Sequence, residues 1–327
     1  MKSTKRRYWL GFDLGGTKMM ATVFDKNFNI VAFRRKKTKE GKGAKGVLTR
    51  IVETIEEALQ AAHLSHKQLG AIGIGTPGWL DLNRGIILTA PNLGLHNIPV
   101  KKELTRDFGC SVAVVNDVDA GTYGEYRFGA GRGVRCLLGV FPGTGIGGGL
   151  VYEGKLFRGS TSSCMEVGHI HMQPKGQLCG CGRRGCLETV ASRLAISSEA
   201  GTAAYRGEAP HLLELAGTDV AGIRSGALAS SIKAGDHLVE DIVRHAAKEL
   251  GIAIGSIVNL LAPDMVVLGG GLVEAMPGLY VQQVRQSINK QALRPFTKSL
   301  RVVVAKLGDD AVVLGAAALA AEEVGRD

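Results

Sequence analysis

Short runs dominated by apolar residues at 8–14 and 19–24, and a third at 28–38 that turns basic, predict three β-strands, the last two joined by a turn at Asp25–Asn29. The period then changes. Apolar residues recur at 47, 51, 55, 58, 59 and 62, the stripe of an amphipathic helix over 47–63. A short apolar run at 71–75 reads as a buried strand, and 111–117 as a strand ending in polar residues, followed by a helix through about 129. The second half repeats the theme: strand 136–141, a glycine turn Pro142–Gly149, strand 150–157, a long helix near 236–261, strands at 265–271 and 300–307, and a closing helix at 310–323. Each half opens strand, glycine turn, strand. The pattern predicts an α/β fold carrying an internal structural duplication without sequence identity, its halves sharing a cleft.

Composition sharpens this picture only in places. The 327 residues are about twice the length of one ordinary domain. Their 45% apolar share supplies a sizeable core, and 46 glycines point to many tight turns. No apolar run reaches the ~18 residues that span a bilayer, and Asp13 with Gly15 and Gly16 interrupts anything resembling a signal segment, so a cytoplasmic protein without a membrane partner is expected. The net charge is +10, with basic clusters at Lys2–Arg7 and Arg34–Lys45. These lack interleaved aromatics and a helix-turn-helix pattern, so they read as solvated surface; no nucleic-acid partner is expected.

Two glycine motifs are excluded as dinucleotide or Walker loops. Gly143–Gly148 fits G-x-G-x-x-G, but the residues that follow alternate like a strand where the fingerprint opens a helix. The Walker-like run ending at Lys155 has Leu156 where a Mg²⁺-binding hydroxyl is needed. A glycine turn between two strands remains, and it occurs twice. Either turn alone reads as a plain hairpin; as a pair, with Leu268–Gly271 after a buried strand, they read as backbone nests for phosphate. Thr17 and Thr144 add hydroxyl donors, and Asp13 is placed to hold Mg²⁺.

Cys110, Cys136 and Cys164 stand alone in apolar or small-residue surroundings and read as packing residues. The other three form H-x9-C-x-C-x4-C with His169: Cys179, Cys181 and Cys186. Cys₃His is a standard tetrahedral zinc set, and Gly180 with Gly182 would let the close thiolates reach one ion. A Cys179–Cys181 disulfide would be strained, and a reducing compartment disfavours it. His171, two residues on, is a weaker ligand candidate. A zinc ion on one ring nitrogen of His169 would orient the other toward a ligand hydroxyl, with Glu166 and Glu188 held beside it as acceptors. The zinc would be structural.

Together "FDLGGTK", "GIGTPG", "NDVDA", "GTGIGGG", "EVGH", "CGCGRRGCLE" and "PDMVVLGGG" resemble the ROK family (repressors, open reading frames and sugar kinases), in order, from about residue 10 to 322. The glucokinase branch fits best. The resemblance implies two ribonuclease H-like (actin-like ATPase) domains flanking a nucleotide and sugar cleft, here 1–118 plus 310–327, and 119–309 with the zinc loop. It implies ATP, Mg²⁺ and structural Zn²⁺ as cofactors, and a homo-oligomer, dimer or tetramer. Asp117, at a strand end where ligand crevices form, is the expected general base by position and by likeness. Gly78, Asn92 and Asn116 would join Glu166, His169 and Glu188 on the sugar. Gly15, Gly16, Thr17 and Lys18, with Gly143, Thr144 and Gly145, would grip phosphates, and Gly269, Gly270 and Gly271 would border adenosine. The expected activity is ATP-dependent phosphorylation of a hexose, glucose first, with another hexose or an N-acetylhexosamine as the alternative. A sugar-responsive repressor is disfavoured because only about seven residues precede the first strand, and an actin-like filament has no use for the sugar and zinc motifs. Trp79, after "TPG", carries no readable preference.

Overall fold

The computed structural model describes residues 8–38, 43–160 and 164–325. The basic run Lys2–Arg7 and residues 39–42 of the second basic segment lie outside them. Two compact units are present: Met1–Arg132 with Gly154–Cys164 and Asp309–Asp327, and Gly133–Glu153 with Met165–Gly308.

The first unit runs β1 (Tyr8–Leu14), β2 (Lys18–Phe24), β3 (Ile30–Lys37), α1 (Gly43–Ala61), β4 (Leu69–Thr76), β5 (Trp79–Asp81), β6 (Ile86–Ala90), β7 (Leu95–Ile98), α2 (Val100–Phe108), β8 (Ser111–Asn116) and α3 (Asp117–Arg127). The chain then builds β9 (Cys136–Pro142) and β10 (Ile146–Tyr152) of the second unit and returns for the two-residue β11 (Lys155–Leu156). The rest of the second unit is α4 (Glu188–Ala191), α5 (Arg193–Tyr205), α6 (Pro210–Ala216), α7 (Ser225–Ala234), α8 (His237–Leu261), β12 (Met265–Leu268), α9 (Gly271–Ala275), α10 (Pro277–Gln291), α11 (Arg294–Thr297) and β13 (Arg301–Val304). Helix α12 (Asp310–Val324) closes the first unit.

The first unit's main sheet has the order β3-β2-β1-β4-β8. Strands β1 to β3 pair antiparallel, while β4 and β8 run parallel to β1. In the second unit β10-β9-β12-β13 repeats the order and sense of β2-β1-β4-β8: β10 is antiparallel to β9, and β12 and β13 are parallel. The duplication read from the sequence is therefore one of topology. It places each glycine turn between the first two strands of its sheet.

Apolar residues on both faces explain why these sheets are covered. In β4 all eight residues are buried, as a central parallel strand requires. Glycines of the central strands serve packing: a side chain at Gly11 of β1 or Gly73 of β4 would lie 1.9 Å from Val313 O or Ala316 O of α12, so the helix backbone rests directly on the sheet. Core residues of the first unit include Leu10, Phe12, Ile51, Ile55, Ile72 and Ile74. In the second unit Leu138, Val140, Val266 and Leu268 pack with Val243, Leu250 and Ile254 of α8.

Two expectations are corrected. The boundary set at 118/119 gave residues 119–129 to the second domain, but α3 belongs to the first unit. Its glycine lets α12 approach: a Cβ on Gly124 would lie 2.2 Å from Ala311 O, and one on Gly315 1.8 Å from Ala120 O. The glycine turn expected over Pro142–Gly149 is also shorter. Gly147, Gly148 and Gly149 pair with Phe141, Val140 and Gly139 inside β10, and the expected strand 150–157 breaks at Glu153 and Gly154. These glycines are not there to bend. A Cβ on Gly148 would fall 2.3 Å from the Val167 side chain, so the strand is stripped to let the Glu166–His169 segment lie against it.

Candidate functional site

In the first unit the polar ends of parallel strands gather the chemistry. Asp13 on β1 is in register with Gly75 of β4, and Gly75 with Val115 of β8, so a glycine separates Asp13 from the end of β8. There Asn116 ends the strand and caps α3, its Oδ1 accepting from the N–H groups of Val118 at 2.8 Å and Asp119 at 3.3 Å. Asp119 is buried in the first turn. The cap fixes the Asn116 side chain with its oxygen toward the helix, which leaves the amide NH₂ to face a ligand. Asp117 follows at the positive end of α3, its Oδ1 accepting from Val118 N–H at 2.9 Å.

Burial, and secondarily the charge of Asp117, push the Asp13 carboxyl up to about 7. A half-protonated buried carboxylate beside a second one is a site that a divalent cation relieves, and the donors are the hard oxygens that Mg²⁺ takes. The residues therefore fit Mg²⁺. Lys18 and Arg35 add positive charge at the same place and are both paired with Asp309, at 2.6 and 2.9 Å. Asp309 escaped the sequence reading. It sits just before α12, far from any motif, and only the fold brings it to Lys18.

The first glycine turn closes when Gly15 N–H donates to Lys18 O at 3.0 Å, and Thr38 ties it down by donating from Oγ1 to Gly15 O at 2.8 Å. Gly16 and Thr17 stay at its tip. Gly78 has φ +100°, and a Cβ there would lie 2.2 Å from Thr89 O, so only glycine fits. Trp79 beside it is 75% exposed. Asn92 lies in the 3-10 turn Pro91–Leu93, but its side chain is outside the described part of the structure.

In the second unit the turn after β9 closes when Gly143 N–H donates to Gly145 O at 2.8 Å. The next N–H, that of Ile146, donates to Glu188 Oε2 at 3.0 Å. A Cβ on Gly145 would lie 2.4 Å from that same oxygen. The Gly143–Gly145 turn and the Glu188 carboxylate are thus in direct contact. Glycines 269–271 lie on the end of β9: a Cβ on Gly269 would reach the Phe141 ring at 2.6 Å and one on Gly270 would reach Pro142 O at 2.8 Å. Arg193, at the start of α5, was also missed. It donates from its backbone to Gly143 O at 2.8 Å and from Nη2 to Thr144 Oγ1 at 3.2 Å. No motif spacing marks it.

The zinc cluster is assembled as expected. One ligand atom each from His169, Cys179, Cys181 and Cys186 lies within 4.8 Å of the others. Cys179 Sγ is 3.7 Å from His169 Nδ1, and Cys181 Sγ is 3.7 Å from Cys186 Sγ. Thiolates bound at about 2.3 Å to a tetrahedral ion stand roughly 3.8 Å apart, so the set fits zinc. Burial, then the neighbouring thiols, push Cys186 up to about 12, and a cation is what allows three crowded sulfurs to ionise. Cys179 N–H donates to Arg183 O at 2.7 Å to close the knuckle. Gly182 and Gly185 have positive φ there and Gly180 does not, so the second flexible position is 185 rather than 180. His171 is exposed, pairs with Cys186 through an isolated bridge, and stands outside the cluster. The loop ends on Glu188, the first residue of α4, and Leu187 N–H donates to Ile170 O at 2.8 Å beside His169. Glu166 is exposed at the other end of the segment braced by Gly148.

Comparison with known proteins agrees with this arrangement. The chain is 33% identical to a glucokinase of Streptomyces coelicolor over 321 residues, 96% of this chain and 97% of that one. It is 29% identical to a xylose repressor of Caldicellulosiruptor bescii over 95% of this chain and 77% of that one. A ROK family glucokinase from Streptomyces griseus, solved with glucose and AMPPNP, superimposes with a TM-score of 0.83 at 32% identity, over 96% of this chain and 99% of that one. The profile of the ROK family matches residues 9–323, nearly the whole length over which these motifs and both sheets extend, and the chain belongs to that family.

Proposed function

We propose that the protein is an ATP-dependent hexose kinase that transfers the γ-phosphoryl group of ATP to the 6-hydroxyl of glucose. The observation that carries this reading is the repeated strand order with a glycine turn at the same topological place in each unit. The likeness to glucokinases over nearly the full length supports it.

Phosphoryl transfer asks for a placed nucleophile and neutralised charge rather than covalent help. Asp117 accepts the proton of the sugar hydroxyl as it attacks. Asn116, Gly78 and Asn92, with Glu166, His169 and Glu188, hold the remaining hydroxyls. His169 offers Nε2 to the sugar, since Nδ1 faces the thiol cluster. With Gly15 and Gly143 engaged in closing their own turns, the donors for phosphate are the N–H groups of Gly16, Thr17, Thr144 and Gly145 and the two threonine hydroxyls. Lys18 adds charge, and Gly269 to Gly271 border adenosine. When bound, Mg²⁺ at Asp13 offsets phosphate charge, and Zn²⁺ on the Cys₃His set fixes the loop. A cytoplasmic location belongs to the same reading; among the described residues no helix is long and apolar enough to cross a membrane.

Coupled-enzyme ADP release across a panel of sugars tests this. Turnover of glucose above other hexoses and N-acetylhexosamines is expected. Turnover of another sugar with none of glucose would keep the kinase class and overturn the substrate.

A further inference from the structure

Arg193 reaches the second unit's glycine turn, and a second arginine, Arg224, lies close to it along the chain that Arg193 bonds. Arg193 Nη2 donates to Thr144 Oγ1 at 3.2 Å and Nη1 to Ile223 O at 3.4 Å. Those bonds use two of the five N–H donors of the guanidinium. Arg224 is the next residue after that carbonyl and stands exposed at the start of α7. Among the described residues neither arginine forms an ion pair. Burial, then the Arg224 charge, hold the Arg193 guanidinium below its ordinary value, so the like charges are felt.

The contact also orients Thr144. Its oxygen accepts from Arg193, so its single O–H proton is directed elsewhere, toward whatever occupies the turn. On the other side Ser225 Oγ would lie 3.4 Å from a Cβ on Gly271, which puts Arg224 next to the glycines that border adenosine. Like charges close together are unfavourable alone and become favourable when an anion enters between them. The local anion-binding element is the Gly143–Gly145 turn.

We propose that Arg193 and Arg224 form a cationic clamp for the polyphosphate tail of the nucleotide donor, with Arg193 also setting the Thr144 hydroxyl. This rests on ATP being the donor and adds two residues that neither glycine turn supplies.

Direct binding of ATP, ADP, AMP and adenosine to the full-length wild type, Arg193→Ala, Arg193→Lys and Arg224→Ala separates the possibilities. Loss of a charge-assisted hydrogen bond predicts ATP binding about 10- to 100-fold weaker in Arg193→Ala, with adenosine changed less than about twofold. Arg193→Lys keeps the charge but not the fork and is expected between the two. Arg224→Ala, at an exposed position, is expected to weaken ATP by a few-fold and to lower the salt dependence of binding. Unchanged ATP affinity in Arg193→Ala overturns the clamp, as does an equal loss of ATP and adenosine, which would make the arginine a support for the turn. A wild type that binds no ATP overturns both this clamp and the proposed donor. A wild type that binds ATP but leaves glucose untouched overturns only the sugar assignment, and the clamp is then decided by the same affinity ratios.

Discussion

Glu188 Oε2 accepts the backbone N–H of Ile146 at 3.0 Å, although 42 positions separate the two residues. One carboxylate therefore pins the exit of the phosphate turn while it stands at the edge of the zinc loop. Glu188→Gln keeps an oxygen for Ile146 and removes the charge; Glu188→Ala removes both. Glutamine is expected to lower kcat/KM for glucose by about tenfold or more with KM for ATP near wild type, whereas alanine raises both KM values. Equal KM for ATP in the two variants would show that the bond does not hold the turn.

Asp13 makes stability depend on pH. Its folded-state value, about 7, lies above the ordinary carboxylate value of 3.8, so the folded protein binds the extra proton between them. The wild type thus loses stability as pH rises from about 4 to 7, and Asp13→Asn does not. Urea unfolding is expected to show the variant equal near pH 4 and more stable by ~1–3 kcal/mol at pH 8. Millimolar Mg²⁺ at pH 8 should narrow that gap by stabilising only the wild type. A gap independent of pH would mean that the carboxyl is ionised throughout.

Asp117 and Asn116 share one helix start but have different duties. Asn116 caps α3 through two N–H groups, while Asp117, which accepts from Val118 N–H, is the proposed acceptor of the hydroxyl proton. Asp117→Asn is expected to cut kcat at least ~10²-fold with glucose affinity changed far less. Asn116→Ala is expected to cost ~1 kcal/mol of stability as well as sugar affinity, because a cap is lost. Thermal unfolding distinguishes them: a destabilised Asp117→Asn with near-normal kcat would reverse the assignments.

Legibility in the sequence followed periodicity and local spacing. Strands β1, β2, β4, β8 and β12 and helices α1, α8 and α12 carry clean patterns, and each was read within a few residues. The Cys₃His set was legible because its ligands are fixed by short spacing around glycines. What stayed hidden depends on partners distant in the chain. The three-stranded sheet β5-β6-β7, which carries Gly78, has strands too short for a period, and α5 has small residues on every face. Gly147 to Gly149 looked like a turn because a glycine that makes room for Val167 is indistinguishable in sequence from one that bends. Asp309 and Arg193 acquire meaning only through Lys18 and Thr144.

The zinc loop gives the strictest test, because the exposed Cys181 buries almost nothing and its replacement leaves the core intact. Its sulfur is 3.7 Å from that of Cys186, and the four ligand atoms lie within 4.8 Å. Metal analysis is expected to give about one zinc per chain, lost in Cys181→Ser or after prolonged chelation. Without the ion the His169 ring loses the bond that would orient it, and the segment from Cys179 to Glu188 keeps the backbone bonds of its knuckle and the Glu188–Ile146 bond. Misplacement of ~1 Å can cost ~10²-fold in turnover, so glucose phosphorylation is expected to collapse. Adenosine binding is expected to persist, since Gly269 to Gly271 rest on Phe141 and Pro142 rather than on the loop. ATP is expected to weaken slightly, because the Glu188–Ile146 bond links the loop to the phosphate turn. A protein free of zinc that phosphorylates glucose at the full rate would mean that backbone bonds alone hold Glu166, His169 and Glu188 in place.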